Sequence, residues 1–196
     1  MGSTSSKTSN ARQRLVETAE RLFYAEGVRA VGIDRIIAEA GVAKTSLYNH
    51  FSSKDDLILA VLRYREEKFD AMFAHWMKRH ADAGMTPLDA FFAALKSWFE
   101  SPGFRGCMFI NAYAELAAPD HEAAKFAVMH KLRFHEMIKS LIVESAGAES
   151  AESWSNSIAL LVEGAIVTAV MSQSSKSADV ARDAAFSLVA KKERNP

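Results

Sequence analysis

Apolar residues recur along this chain at three- and four-residue spacings between short polar breaks, a pattern that predicts one helix after another. From Ala11 to Glu26, Leu15, Ala19, Leu22 and Phe23 share a face, and Gly27 is the expected stop. A short apolar segment with Val31, Ile33, Ile36, Ile37 and Ala40 ends at Gly41, and a second short helix is expected from about Ala43 to Phe51. Ser52 or Ser53 then caps a long helix running from Lys54 to near Gly84. Asp55 and Asp56 stand in its first turn, where the helix dipole favours negative charge.

The same pattern continues. Thr86 caps a helix that has Pro87 at its first position, "SPGFRG" breaks it, and "CMFINAYAELA" supplies another apolar stretch up to "APD". A long helix is expected from His121 to Ala146, a further one after Gly147, and a last one from Ala178 to Lys191. No strand-length alternation and no internal repeat interrupts them, so the fold class is all-α.

Composition changes this picture little. Hydrophobic residues make up 49% and charged residues 24%, an ordinary globular balance, and the formal net charge is zero. A nucleic-acid surface must therefore come from local segregation of charge. The single cysteine, Cys107, cannot form an intrachain disulfide. The first ten residues are polar without an apolar signal core and read as a loose arm, and no run approaches the ~18 unbroken apolar residues of a membrane span. A cytoplasmic protein is the simplest expectation.

One stretch departs from the helical pattern. Tyr48, Asn49, His50 and Phe51 stand consecutively, so they point in different directions and some must face solvent or an incoming partner. Two short helices joined at "EAGVAK" suit a helix-turn-helix, in which Ala40 allows close approach, Gly41 supplies a positive φ and Val42 fills the gap. Leu47 and Phe51 would share the buried face. Lys44, Thr45, Tyr48 and Asn49 remain on or near the other face, and all four can hydrogen-bond to phosphates or base edges.

"IIAEAGVAKTSLYNHFSSKDDL" resembles the signature of the TetR family of bacterial transcriptional regulators. Ala40-Gly41-Val42, Leu47-Tyr48-Asn49-His50-Phe51 and Ser53-Lys54-Asp55-Asp56-Leu57 carry the likeness, and "RLVETAERLFYAEGVRAVGIDRI" resembles the family's first helix. Ile37 stands where that family usually keeps alanine, and Thr45 where glycine is common. The resemblance covers about the first third of the chain. It implies a three-helix DNA-binding domain on a larger helical domain that holds a small-molecule pocket and a homodimer interface. The expected organisation is thus a flexible arm over 1–10, a helix-turn-helix domain over 11–54, and a ligand-binding and dimerisation domain over 55–196.

The resemblance also assigns Tyr48 a phosphate contact. Lys44 and Thr45, followed by Ser46 and Asn49, are the candidates for base edges: lysine can donate to guanine, and asparagine can pair bidentately with adenine. Lys54 is expected at a phosphate beside a helix N-terminus, and His50 either at the backbone or in a structural role. Up to residue 54, Lys7, Arg12, Arg14, Arg21, Arg29, Arg35, Lys44 and Lys54 face Glu17, Glu20, Glu26, Asp34 and Glu39. That slight excess makes docked geometry and dimer symmetry matter more than bulk charge.

Trp76, Phe92, Trp98, Met108, Asn111, Glu115 and Phe134 are the candidates for an effector pocket, the bulky groups as apolar lining and Asn111 and Glu115 as polar groups four residues apart. Trp154, Leu161, Ala165, Ile166 and Phe186 are the candidates for a dimer interface, as the resemblance places a helix pair there. No cofactor is expected, and no catalytic or metal-ligating set stands out. His75 and His80, like His130 and His135, are five apart and so about 140° apart around a helix at ~100° per residue. No phosphate-binding glycine loop or nucleophile elbow is present. The expected protein is a homodimeric, ligand-responsive regulator that binds a palindromic DNA operator, a repressor first and an activator second. A helical ligand carrier without DNA binding is the rival class.

Overall fold

The computed structural model describes residues 4–116, 118 and 120–190. Among these residues the structure is helical without strands: α1 Thr4–Glu26, α2 Ile33–Ala40, α3 Lys44–His50, α4 Lys54–Asp82, α5 Pro87–Phe99, α6 Met108–Leu116, α7 Glu122–Ala146, α8 Ala148–Ser172 and α9 Lys176–Ala190. The all-α expectation holds. Two boundaries differ. α1 starts at Thr4, so the part of the expected arm from Thr4 to Asn10 is helical. No glycine or proline interrupts that segment, and extending an existing helix adds a hydrogen bond for each residue fixed. α9 begins at Lys176, two residues ahead of the expected Ala178 (178 − 176 = 2), while Lys191, its expected end, lies outside the described residues.

The chain forms two compact units, each discontinuous in sequence. The first joins the segment up to Lys68 with Met108–His130; the second joins Phe69–Cys107 with the chain from Lys131 onward. The boundary expected after Lys54 falls in the first turn of α4, which runs unbroken from Lys54 to Asp82.

In the first unit α1 contributes the expected face: Leu15 and Ala19 are fully buried, and Leu22 and Phe23 nearly so. Against them pack α2 and α3, through Ile36, Ala40 and Leu47. Each fully buried Leu or Ile side chain contributes roughly 1.5–3 kcal/mol. The turn after α2 is closed by two hydrogen bonds, Gly41 N–H to the Ala38 carbonyl at 3.2 Å and Val42 N–H to the Ile37 carbonyl at 3.3 Å. That pairing defines a Schellman motif and needs the left-handed residue that Gly41 provides, at φ 61°. From α1, the Arg14 guanidinium donates to the carbonyls of Ala40 and Gly41, tying the turn to the first helix.

The second unit has an aromatic interior. Phe69 meets Trp98 edge-on at 4.9 Å between centroids, and Phe73 meets Phe91 at 5.5 Å. Phe134 reaches both Phe69 and Phe73, each at 6.1 Å. α9 packs along α8 and α5. α8 is long and apolar enough by composition to cross a bilayer, yet its Ile158, Val162, Ala165, Ile166 and Ala169 are buried inside this unit. Thr86 caps α5 by accepting from Asp89 N–H, with Pro87 at the first helical position as expected.

Candidate nucleic-acid interface

α3 is seven residues long, and one side chain anchors it: Leu47, with no exposed surface. Phe51, just past its end, is also buried, so Leu47 and Phe51 fix which way the helix faces. Lys44, Thr45, Tyr48 and Asn49 are exposed; Tyr48 keeps 52% of its surface open to solvent. Ser46, His50 and Lys54 are half-buried.

The start of α4 is capped from outside the helix. Ser53 Oγ accepts from Asp56 N–H at 3.0 Å, and the Asp56 carboxylate takes the Ser52 N–H at 3.1 Å as well as the Ser52 hydroxyl. This reciprocal cap rigidifies the link between α3 and α4. It also places Lys54 at the helix entrance, where partial burial holds its ammonium below the usual lysine range although Asp55 and Glu115 oppose the shift. The Lys54 ammonium lies 5.9 Å over the Phe23 ring.

Most of the arginines around the turn are already committed. Arg21 pairs with Glu39 at 2.5 Å, and Arg35 spans Glu26 at 2.5 Å and Glu39 at 2.8 Å. Lys44 pairs with Asp34 of α2 at 3.0 Å, which raises its pKa. Arg12 differs. Its guanidinium lies 5.3 Å over the Phe51 ring and makes no ion pair among the described residues. Sequence reasoning counted Arg12 as charge only. Arg12 is exposed on α1, although its three-residue spacing from buried Leu15 puts it beside the inward face, so spacing alone does not single it out.

The expected pocket residues divide between the two units. Phe92, Trp98 and Phe134 are buried in the second unit with Trp76 half-buried, whereas Met108, Asn111 and Glu115 belong to the first unit. Asn111 is exposed, so it and Glu115 do not line one enclosed space. Glu115 serves the loop between α1 and α2: its carboxylate accepts from Arg29 N–H at 2.9 Å. Gly27, at φ +94°, passes so close that an added Cβ would lie 2.7 Å from that carboxylate. A groove of about 420 Å³ in the first unit is lined instead by residues that include Arg12, His50, Arg63 and Tyr64.

The expected interface residues also divide. Ala165 and Ile166 are buried inside the second unit, which corrects their assignment to a surface free for a partner; Trp154, Leu161 and Phe186 are half-buried. Phe186 is covered by the Arg182 guanidinium at 5.1 Å, itself held by Asp89 at 2.6 Å. The open face of α8 carries Leu160, Val167 and Met171, spaced by seven and four residues (167 − 160 = 7; 171 − 167 = 4), which puts them on one stripe.

A short helix held by one buried leucine, following a glycine turn and showing its polar face to solvent, defines a helix-turn-helix protein of the nucleic-acid-binding class. The model of the family described as bacterial regulatory proteins, tetR family, matches residues 15–61. SrpR, an HTH-type transcriptional regulator of Pseudomonas putida, is 33% identical over 70 residues, 36% of this chain and 33% of its own length. TtgW from a strain of the same species, an uncharacterised HTH-type regulator, is also 33% identical over 70 residues, 52% of its length. These matches thus span between a third and about half of the curated relatives. Similarity to solved structures extends further. SCO4454, a TetR-family transcriptional regulator from Streptomyces coelicolor, is 32% identical with a TM-score of 0.79, covering 93% of this chain and 96% of that one. A TetR transcriptional regulator from Chloroflexus aurantiacus is 26% identical with a TM-score of 0.74, covering 96% and 97%. This chain belongs to the TetR family: it is a DNA-binding transcriptional regulator.

Proposed function

We propose that this protein is a homodimeric repressor that leaves a palindromic operator when a small-molecule effector binds. The observation that carries the reading is the exposed set Lys44, Thr45, Tyr48 and Asn49, opposite buried Leu47 and Phe51 on α3. Lys44, Thr45, Ser46 and Asn49 address base edges; Tyr48, His50 and Lys54 address phosphates. Arg12 joins the phosphate contacts, because its exposed guanidinium lies over the Phe51 ring and makes no ion pair among the described residues. Two such helices in a dimer read half-sites one DNA turn apart, roughly 34–36 Å. The protein works in the cytoplasm, needs no cofactor and catalyses no reaction.

The dimer forms through the open stripe of α8, Leu160, Val167 and Met171; Met171 is 81% and Leu160 73% exposed. A carboxylate at the centre of such an apolar contact loses its hydration without gaining a partner. Met171→Glu is therefore expected to give a monomer of unchanged helicity in sedimentation equilibrium. The effector binds in the aromatic second unit, where Trp76, Phe92, Trp98 and Phe134 lie. It releases DNA only as far as it prefers the non-binding state, and each ~1.4 kcal/mol of preference changes operator affinity about tenfold.

The test is fluorescence anisotropy on DNA from upstream of the protein's own gene, against a shuffled duplex at ~0.15 M salt. Preference for the native fragment by ~10³ or more supports specific recognition. Equal weak binding to this and to every duplex enriched from a random pool favours the helical carrier. Tyr48→Phe is expected to weaken operator binding roughly tenfold, the order of a hydrogen bond to a charged acceptor, and to leave the unfolding midpoint unchanged.

A further inference from the structure

We propose that Asp34 is a specificity-determining residue, which neutralises and aims Lys44 so that this lysine responds to a base edge and not to any phosphate in reach. The inference rests on α3 being the DNA-reading helix. Lys44 opens α3, and Asp34 stands in the first turn of α2; their side chains meet across the turn at 3.0 Å with both groups exposed. The neighbouring acids Glu26 and Glu39 are held by Arg35 and Arg21, so the carboxylate facing Lys44 is that of Asp34.

A lysine ammonium is a compact charge on a flexible four-carbon stem, and a phosphate attracts it whatever the sequence. A carboxylate at 3.0 Å offsets part of that attraction at a distance and biases the stem towards α2. The ammonium has three donors, so the bond to Asp34 leaves two, the number that guanine O6 and N7 accept. Lys44 can thus read a guanine without leaving Asp34. On other DNA the pair contributes almost no net charge, and the outward carboxylate meets the phosphates with repulsion. Specificity of this kind is gained by weakening the wrong complex.

The experiment uses the intact protein. A duplex is first selected from a random-sequence pool with the unmodified chain. Asp34→Asn, isosteric at an exposed position, is then compared with the unmodified chain on the selected duplex and on a scrambled one. Freeing one cation is expected to tighten binding to the scrambled duplex about fivefold at ~0.15 M salt and to steepen its log–log salt slope by about 0.9. Binding to the selected duplex should change by less than about twofold, and most of the gain on the scrambled duplex should vanish in a Lys44→Ala background. Unchanged selectivity and slope overturn the role of Asp34, as does a fall in affinity equal for both duplexes. If the unmodified protein selects no sequence at all, the DNA-reading assignment of α3 falls, and this inference with it.

Discussion

Leu47→Ala is expected to lower the stability of the first unit by about 2–5 kcal/mol, the range for truncating a fully buried leucine when the cavity only partly collapses. The loss should be large for so short a helix because Leu47 is the buried residue that α3 possesses. Seven residues cannot hold helical structure alone, since an isolated helix of that length never recovers the cost of nucleation. Without the Leu47 anchor, the exposed set has no fixed orientation. Urea unfolding should show the drop, and amide exchange should show protection lost first from Lys44 to Phe51. DNA affinity should fall even where most molecules remain folded. Asn49→Ala, on the open side of the same helix, should stay within about 0.5 kcal/mol of the parent. A Leu47→Ala protein with the parental urea midpoint would sink this account of the anchor.

Glu20→Ala carries the second large effect. Glu20 is 7% exposed, and its carboxylate meets the Arg65 guanidinium at 2.6 Å, with Lys68 at 3.6 Å. Arg65 is stacked 4.1 Å over the Tyr24 ring, so α4 is riveted to α1 by a charge pair largely out of water. Removing one partner of a buried pair leaves the other without compensation and costs about 3–5 kcal/mol. Replacing both is far milder, because two apolar side chains need no partner. Glu20→Leu with Arg65→Met should therefore recover most of the stability lost by Glu20→Ala. The exposed Arg21–Glu39 pair offers the contrast: breaking it should cost below about 1 kcal/mol. Comparable losses at the two pairs would show that Arg65 finds water or another anion when Glu20 is gone.

Local features proved legible. The glycine turn at Gly41, the buried pair Leu47 and Phe51, the serine cap before α4 and the Thr86–Pro87 start of α5 depend on residues within a few positions of one another. Spacing is all that such features require. Partners distant in sequence were not legible. Glu115 finds its donor 86 residues upstream at Arg29, and nothing in "AYAELA" records that. The two residues Asn111 and Glu115 shared a helical spacing, yet burial separates them. α8 failed for another reason. With apolar residues on most of its circumference, periodicity groups Leu161, Ala165 and Ile166 on one stripe but does not say whether that stripe turns to a partner or inward, and Ala165 and Ile166 turn inward. Arg12 was passed over because its ring partner, Phe51, lies beyond two intervening helices.

The first compact unit is completed by Met108–His130, and this matters when the chain is made. Between Lys68 and His130 the ribosome adds 62 residues (130 − 68 = 62), about 3–12 s of synthesis at the usual 5–20 residues per second. Until Glu115 is made the first loop lacks its carboxylate, and until the end of the interval Phe109 lacks His130, on which it stacks at 3.6 Å. A gene fragment cut after Lys68 would reproduce that waiting state permanently. A fragment that keeps all the contacts of the first unit is one that carries Met108–His130 back to it.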